Sequence, residues 1–147
     1  MQVFLYFCLV KKKNIEFRSA CPISTALDIF GDKWSLLIVR DLMFNEKSTY
    51  GDFLDSEERI ATNILADRLA LLESGGIISK QNHPDHKLKI VYKLTTKGIG
   101  LIPVLVEIIA WSEKYHHVHP YARRFAKQLR KDKAGVMIGI RESLKKE

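Results

Sequence analysis

Cysteine is scarce in this sequence: Cys8 and Cys21 are its only two. Two thiols cannot staple a small secreted scaffold, and such usage fits a reducing compartment. Long hydrophobic runs are missing as well. The chain opens on eight apolar residues, Val3 to Val10, followed by three lysines, far short of the ~20 that span a bilayer. No basic stretch precedes that run and no small-residue cleavage site comes after it, so neither a membrane span nor a secretory leader is expected. There is no glycine-rich phosphate loop, nucleophile elbow or zinc signature, and Glu57 and Glu58 lack any partner arrangement for acid–base work. Internal repeats, low-complexity tracts and Pro/Gly/Ser linkers are absent too. The expectation is a cytoplasmic protein that is not an enzyme and carries no cofactor or metal.

Charge of both signs is present, but unevenly placed. The net charge is +7 over 147 residues. Residues 1–20 carry net +3. Residues 120–147 carry nine Lys/Arg against Asp132, Glu142 and Glu147, net +6. Residues 21–119 carry eleven basic and thirteen acidic groups, net −2. Within that middle, 77–98 has Lys80, Lys87, Lys89, Lys93 and Lys97 against Asp85 alone. A local basic patch of this kind favours a polyanion such as nucleic acid more specifically than the global excess does.

Hydrophobic spacing orders the chain. Cys21-Pro22 opens a helix, since proline loses nothing in a first turn, and Ile23, Ala26, Leu27 and Phe30 continue it to Gly31. A second helix is expected from Trp34 to about Phe44. Trp34, Leu37, Ile38 and Leu42 form its buried stripe, widened by Leu36 and Val39. A short third helix covers Thr49 to Leu54 and ends near Ser56. The fourth runs from about Thr62 to Ser74 with Leu65, Leu69 and Leu72 inward and Gly75-Gly76 as its stop. Ile77 to Lys80 and Lys89 to Leu94 read as antiparallel strands around a polar tip that contains Pro84. Thr95 or Thr96 caps a long helix to about His116, where Pro103 kinks it or shifts its start. Its apolar stripe, Ile99, Ile102, Leu105, Val106, Ile109 and Trp111, is wide enough for a core or a dimer seam. A last helix is expected near 121–131, with Gly135 and Gly139 breaking the terminal segment beyond it.

Helix, strand, polar loop and strand in this order spell a mostly α fold with a small antiparallel hairpin, a winged helix-turn-helix. That fold lays a helix in the major groove with the hairpin beside it. On the outward face of the 62–74 helix, Asn63, Ala66, Asp67 and Ala70 present no large apolar group. Thr62 and Asn63 occupy its first turn, where side chains and free N–H groups reach base edges and phosphates.

The chain resembles the HxlR-type winged helix-turn-helix regulators, relatives of the MarR-like proteins. The resemblance is carried by Cys21-Pro22, Gly31-Asp32-Lys33-Trp34 with Leu36-Leu37-Ile38 and Arg40-Asp41-Leu42, Ile64-Leu65 with Asp67-Arg68-Leu69, Leu72-Glu73, Gly76-Ile77-Ile78 and Tyr92-Lys93-Leu94-Thr95-Thr96-Lys97-Gly98. It covers roughly 21–115. It implies a homodimeric transcription factor on a near-palindromic operator, with the 62–74 helix in the major groove, the 81–89 wing on backbone or minor groove, and dimerisation through the first helix and the long helix at 96–116. In some members a cysteine at the position of Cys21 senses electrophiles or oxidants, which brings a small-molecule or oxidant effector into what the resemblance implies. Three departures stand out: Ala61 replaces a common capping serine, the wing lacks arginine, and the basic tail outlasts the family core.

The resulting expectation is an N-terminal extension (1–20), a DNA-binding and dimerisation domain (21–119) and a basic helical C-terminal extension (120–147). Thr62, Asn63, Ala66 and Asp67 face the groove of double-stranded DNA, and Arg68, Lys87 and Lys89 meet phosphate. Cys21 precedes a helix N-terminus, whose dipole favours thiolate, and is the redox-sensing candidate. Three further readings stay open at this level. The same fold can serve as a protein-interaction module for an acidic partner. His116, His117 and His119 form a local cluster with metal-ligating chemistry. Trp34, Tyr50 and Phe53 are either core aromatics or the lining of an effector pocket.

Overall fold

In the computed structural model, residues 14–146 are described; the apolar opening run, the lysines after it and Cys8 lie outside that range. The chain falls into two compact units, one ending at Gly98 and the other beginning at Ile99. No helix among the described residues is long and apolar enough to cross a membrane.

The first unit holds helices α1 (Pro22–Phe30), α2 (Ser35–Phe44), α3 (Tyr50–Leu54) and α4 (Thr62–Ser74), then strands β1 (Ile78–Asn82) and β2 (Ile90–Leu94), and the start of a one-turn helix α5 (Thr96–Ile99). Helix α4 packs against α1, α2, α3 and β1, which is why Leu65, Leu69 and Leu72 are all buried. Ile29, Ile38, Val39, Leu42, Met43, Phe53, Ile60, Ile77, Ile78, Val91 and Tyr92 complete this core. The strands pair antiparallel, Ile78 opposite Leu94 and Asn82 opposite Ile90. The ladder thus runs through Gln81 and Asn82, two residues past the expected strand end, and the tip shrinks to 83–89. An isolated bridge joins Thr49 to Val91, and Tyr92 N–H donates to the Ser48 carbonyl at 2.7 Å. The residues before α3 therefore add a third edge to the wing that the sequence pattern does not display.

Helix α2 differs from expectation in which face it buries. Trp34 and Leu37 are only half-buried, while Ser35, Asp41 and Met43 join Ile38, Val39 and Leu42 inside. A buried aspartate inverts the usual reading of a charged residue, and its partners explain it. Asp41 accepts hydrogen bonds from Asn45 Nδ2 at 2.8 Å, Arg40 Nε at 2.9 Å and Ser56 Oγ, with Lys47 Nζ 3.7 Å away. Burial pushes Arg40 down, but the hydrogen bond to Glu58, which comes first, and those to Asp41 outweigh it and hold the guanidinium well above its ordinary value.

The end of α4 is a Schellman turn. Gly76 takes φ +72°, the left-handed conformation glycine adopts without strain. Gly76 N–H donates to Glu73 O at 3.0 Å and Ile77 N–H to Leu72 O at 2.9 Å. Thr95 Oγ donates to Gly76 O at 2.5 Å, and Lys97 Nζ donates to Gly75 O at 2.7 Å. The helix C-terminus and the base of the hairpin are thereby stitched together.

In the second unit the expected long helix is divided. Helix α5 ends at Ile99, and α6 (Ile102–Tyr115) begins anew with Pro103 in its first turn, so the proline sets a start rather than a kink. Helix α7 (Pro120–Lys145) packs on α6, burying Ala126 and Leu129. It continues well past residue 131, and the glycines expected to break the segment do not. The interruption lies at Asp132, whose φ −154° and ψ 78° are non-helical. Its carboxylate accepts the Gly135 N–H at 2.9 Å, capping the second half of the helix as a short polar residue does at an N-terminus.

Candidate nucleic-acid interface

Helix α4 starts at Thr62 with Ala61 as its N-cap, and no side chain caps it. Its first-turn N–H groups are therefore left for solvent or a ligand. Thr62 and Asn63 are exposed, whereas Ala66, Asp67 and Arg68 are half-buried. Tyr50 Oη donates to the Thr62 carbonyl at 2.7 Å, so α3 fixes where α4 begins. Tyr50 is thus a positioning group at the helix start and does not line the shallow pocket formed by Trp34, Leu37, Asp41, Phe53, Ser56 and Glu58. Phe53 is 1% exposed and packs against Tyr92 with ring centroids 6.1 Å apart, as a core aromatic does.

Arg68 does not extend freely from α4. Its guanidinium pairs with Asp67 and lies 3.3 Å from Asp32 Oδ2, and its Nε is buried with no hydrogen-bond partner among the described residues. Asp32 in turn starts α2. Its Oδ1 accepts the N–H groups of Trp34 and Ser35 at 2.8 and 2.9 Å, and its Oδ2 accepts Ser35 Oγ at 2.5 Å. Burial pushes the Asp32 carboxyl up, but these hydrogen bonds and the Arg68 charge outweigh it and hold it below the ordinary carboxylate range. The Gly31-Asp32-Lys33-Trp34 segment therefore links the start of α2 to the middle of α4 through one carboxylate. The Asp-x-x-Ser spacing of Asp32 and Ser35 was the legible trace of that cap; nothing in the sequence pointed to its reach across to Arg68.

Four of the five wing lysines divide into two groups. Lys80 pairs with Glu73 at 3.4 Å and Lys97 serves the α4 C-terminus, so both charges are spent within the protein. Lys87 and Lys89 lie exposed at the tip beside Leu88, which is 82% exposed. The tip is held by His83 N–H to Lys89 O at 2.7 Å and Lys89 N–H to His86 O at 2.8 Å, and the His83 and His86 rings lie tilted against each other with centroids 5.1 Å apart. Lys89 is close enough to Asp52 to lower its carboxyl pKa. Burial raises that pKa first, and the Ser48 and Thr49 N–H groups in the α3 capping box are the stronger opposing causes.

Cys21 is exposed and N-caps α1 through its backbone alone, its carbonyl accepting Thr25 N–H at 2.9 Å. The histidines near the α6–α7 junction have separate local roles. His116 packs tilted against Trp111, His117 Nδ1 lies 3.2 Å from Arg123, and His119 Nδ1 accepts the Tyr121 N–H that starts α7. Among the described residues no group of three or more His, Cys, Asp or Glu is placed to hold a metal ion.

Comparison with known proteins gives a consistent result. Residues 29–120 match the family described as HxlR-like helix-turn-helix. An HTH-type transcriptional regulator of Synechocystis, sll1512, is 36% identical over 86 residues, 58% of this chain and 63% of its own length. The match thus spans slightly under two thirds of that protein. The HTH-type transcriptional regulator YodB of Bacillus subtilis is 32% identical over 96 residues, 65% of this chain and 85% of its own. The solved reduced form of YodB superposes with TM-score 0.55 at 30% identity, covering 66% of this chain and 95% of that one. YodB has also been solved diamide-treated and quinone-bound. The oxidized form of the redox regulator HypR superposes with TM-score 0.58 at 28% identity, covering 67% of this chain and all of that one.

Proposed function

From the premise that this chain belongs to the HxlR-like helix-turn-helix family of transcriptional regulators, we propose that it binds operator DNA as a homodimer, with α4 in the major groove and the hairpin tip on the phosphate backbone. The observation that carries the reading is the first turn of α4, where exposed Thr62 and Asn63 stand beside small Ala66 while the opposite face is locked by three buried leucines. A helix so held presents its start to a groove at little cost in its own stability. Thr62 and Asn63 discriminate sequence, Ala66 permits close approach, and Lys87 and Lys89 meet phosphate. Asp67 and Arg68 act as a pair that orients the groove face, with the Arg68 charge largely balanced by Asp32 and Asp67.

Dimerisation is supported by two apolar rows that a single chain leaves open. Helix α1 exposes Ile23 (71%) and Leu27 (50%), and α6 exposes Ile108, Trp111 and Tyr115 at three- and four-residue spacing. Rows of this kind on a monomer mark association surfaces.

Binding of the protein to its own upstream intergenic DNA and to random duplex, across a salt series, tests the reading. Preferential binding with a steep salt slope is expected. Asn63→Ala should cost about 1–3 kcal/mol on the operator and little on random DNA, whereas Lys87→Ala should weaken both alike. Equal losses on both duplexes for Asn63→Ala would remove α4 from the groove. No binding of the wild type at low salt would favour a winged-helix module for an acidic protein partner.

The exposed Cys21 thiol is the proposed point of control. The relatives solved in reduced, diamide-treated, quinone-bound and oxidized forms support a thiol-based input. Diamide is expected to change operator affinity of the wild type and leave Cys21→Ser unaffected. A response retained in Cys21→Ser would remove Cys21 from that role.

A further inference from the structure

We infer that the first half of α7 is a second binding surface for duplex DNA, one that grips phosphate without reading sequence. The inference takes its partner from the DNA-binding reading above. It concerns a segment that lies almost wholly beyond the residues matched by the family.

The argument starts from how the cations of α7 are sorted. On the flank toward α6, Arg130 Nη1 lies 3.0 Å from Glu113 and Lys133 pairs with Glu107, so those two charges are balanced within the unit. Arg123, Arg124, Lys127 and Lys131 are all exposed, and none has a carboxylate partner among the described residues; Arg123 touches the ring of His117. At helical spacing these four fall on one face, opposite buried Ala126 and Leu129. From Arg123 to Lys131 the row is about 12 Å long at 1.5 Å per residue. A duplex offers one phosphate per ~3.4 Å of axis on each strand, so such a row spans several phosphates.

The occupant can be deduced from the groups this face lacks. Beside the four cations stand polar Gln128 and, at one end of the row, the exposed ring of Tyr121; a single amphipathic ring is too little to seat a helix in a lipid surface, where a whole apolar face must be buried. The apolar side of this half-helix is already packed on α6. Nor does one tyrosine at the end of the row supply the central cluster of anchors on which protein partners concentrate their binding. Dense, unpaired, flat positive charge fits a phosphate backbone, and counterion release supplies affinity there irrespective of sequence.

The test is a salt titration of the full-length chain carrying Arg123→Gln, Arg124→Gln, Lys127→Gln and Lys131→Gln together, with circular dichroism to verify that α7 is intact. Random-sequence duplex and the protein's own upstream intergenic duplex serve as probes. The slope of log K against log salt should fall by about 2–4 on both probes, with binding at low salt at least about tenfold weaker and the ratio between probes unchanged. Arg130→Gln, whose charge Glu113 already balances, should alter the slope by less than about one contact. An unchanged slope in the quadruple variant overturns the inference alone. Loss of binding to anionic phosphatidylglycerol vesicles, with the DNA slope intact, overturns it in favour of a membrane. A wild type that shows no preference between probes, yet loses slope in the variant, removes the sequence-reading function and leaves this surface standing. A wild type that binds neither duplex removes both.

Discussion

Asp41→Ala is expected to lower the unfolding free energy by about 3–5 kcal/mol, the range for breaking a buried ionic pair by deleting one partner. Asp41 is 2% exposed and is the shared acceptor for groups from both ends of the helix-turn-helix. Asn45 and Lys47 come from the turn after α2, Arg40 from α2 itself, and Ser56 from the residues after α3. Its removal leaves the Ser56 hydroxyl without its acceptor and takes away the charge facing the Lys47 ammonium, which keeps only Ser56 Oγ at 2.8 Å, while Arg40 keeps Glu58. Since domains of this kind are stable by only ~5–15 kcal/mol, the variant should sit near the edge of folding. Urea titration in a Trp111→Phe background measures it, because Trp34 then remains the sole tryptophan and lines the same pocket. Asp41→Asn, which retains an acceptor for Ser56, should fall between wild type and alanine. A loss under about 1 kcal/mol for Asp41→Ala, the size of an ordinary surface change, would mean that the network contributes little.

Gly98→Ala should be the most damaging single-methyl change, with an expected loss of about 2–3 kcal/mol from overpacking. A Cβ at this buried position would lie 2.1 Å from the Ile77 carbonyl oxygen and 3.1 Å from Leu94 Cδ2. The first of these is backbone at the root of β1 and cannot rotate away. Relief requires the start of α5 to move off the hairpin, which also strains the Gly98 N–H to Thr95 Oγ bond of 3.1 Å. Gly139→Ala is the matched control. Nothing lies within 4 Å of its added methyl, and in a helix interior the change should stabilise by up to ~1 kcal/mol. Equal urea midpoints for the two variants would show that α5 does not approach the hairpin this closely.

Much of the fold could be read from the chain because its apolar spacing is regular where packing is one-sided. Leu65, Leu69 and Leu72, with Gly75-Gly76 behind them, predict the observed bounds of α4 to the residue. The alternating residues after Gly76 likewise mark the wing. What escaped the sequence was governed by polar contacts between distant positions. Asp41 looks like a surface charge until Ser56 and Lys47 are placed around it. Arg68 looks like a free cation until Asp32 reaches it from the start of α2. In α7 the two glycines read as breaks, yet the helix is interrupted at Asp132, where a side-chain cap competes with the backbone ladder. The candidate interface was legible in its outer residues, Thr62, Asn63, Lys87 and Lys89, because exposure follows from periodicity. Tyr50 was not, since a hydroxyl aimed at another helix's first carbonyl leaves no periodic trace.

The stitching at Gly76 has a mechanical side. Between the last turn of α4 and the first residue of β1 there are only three positions, one held in a left-handed turn and all crossed by bonds from Thr95 or Lys97. Such a joint has no hinge. Tilting the hairpin would mean breaking the Schellman bonds, the threonine strap and the lysine strap together, so helix and hairpin turn as a single lever, and whatever moves the tip carries the end of α4 with it.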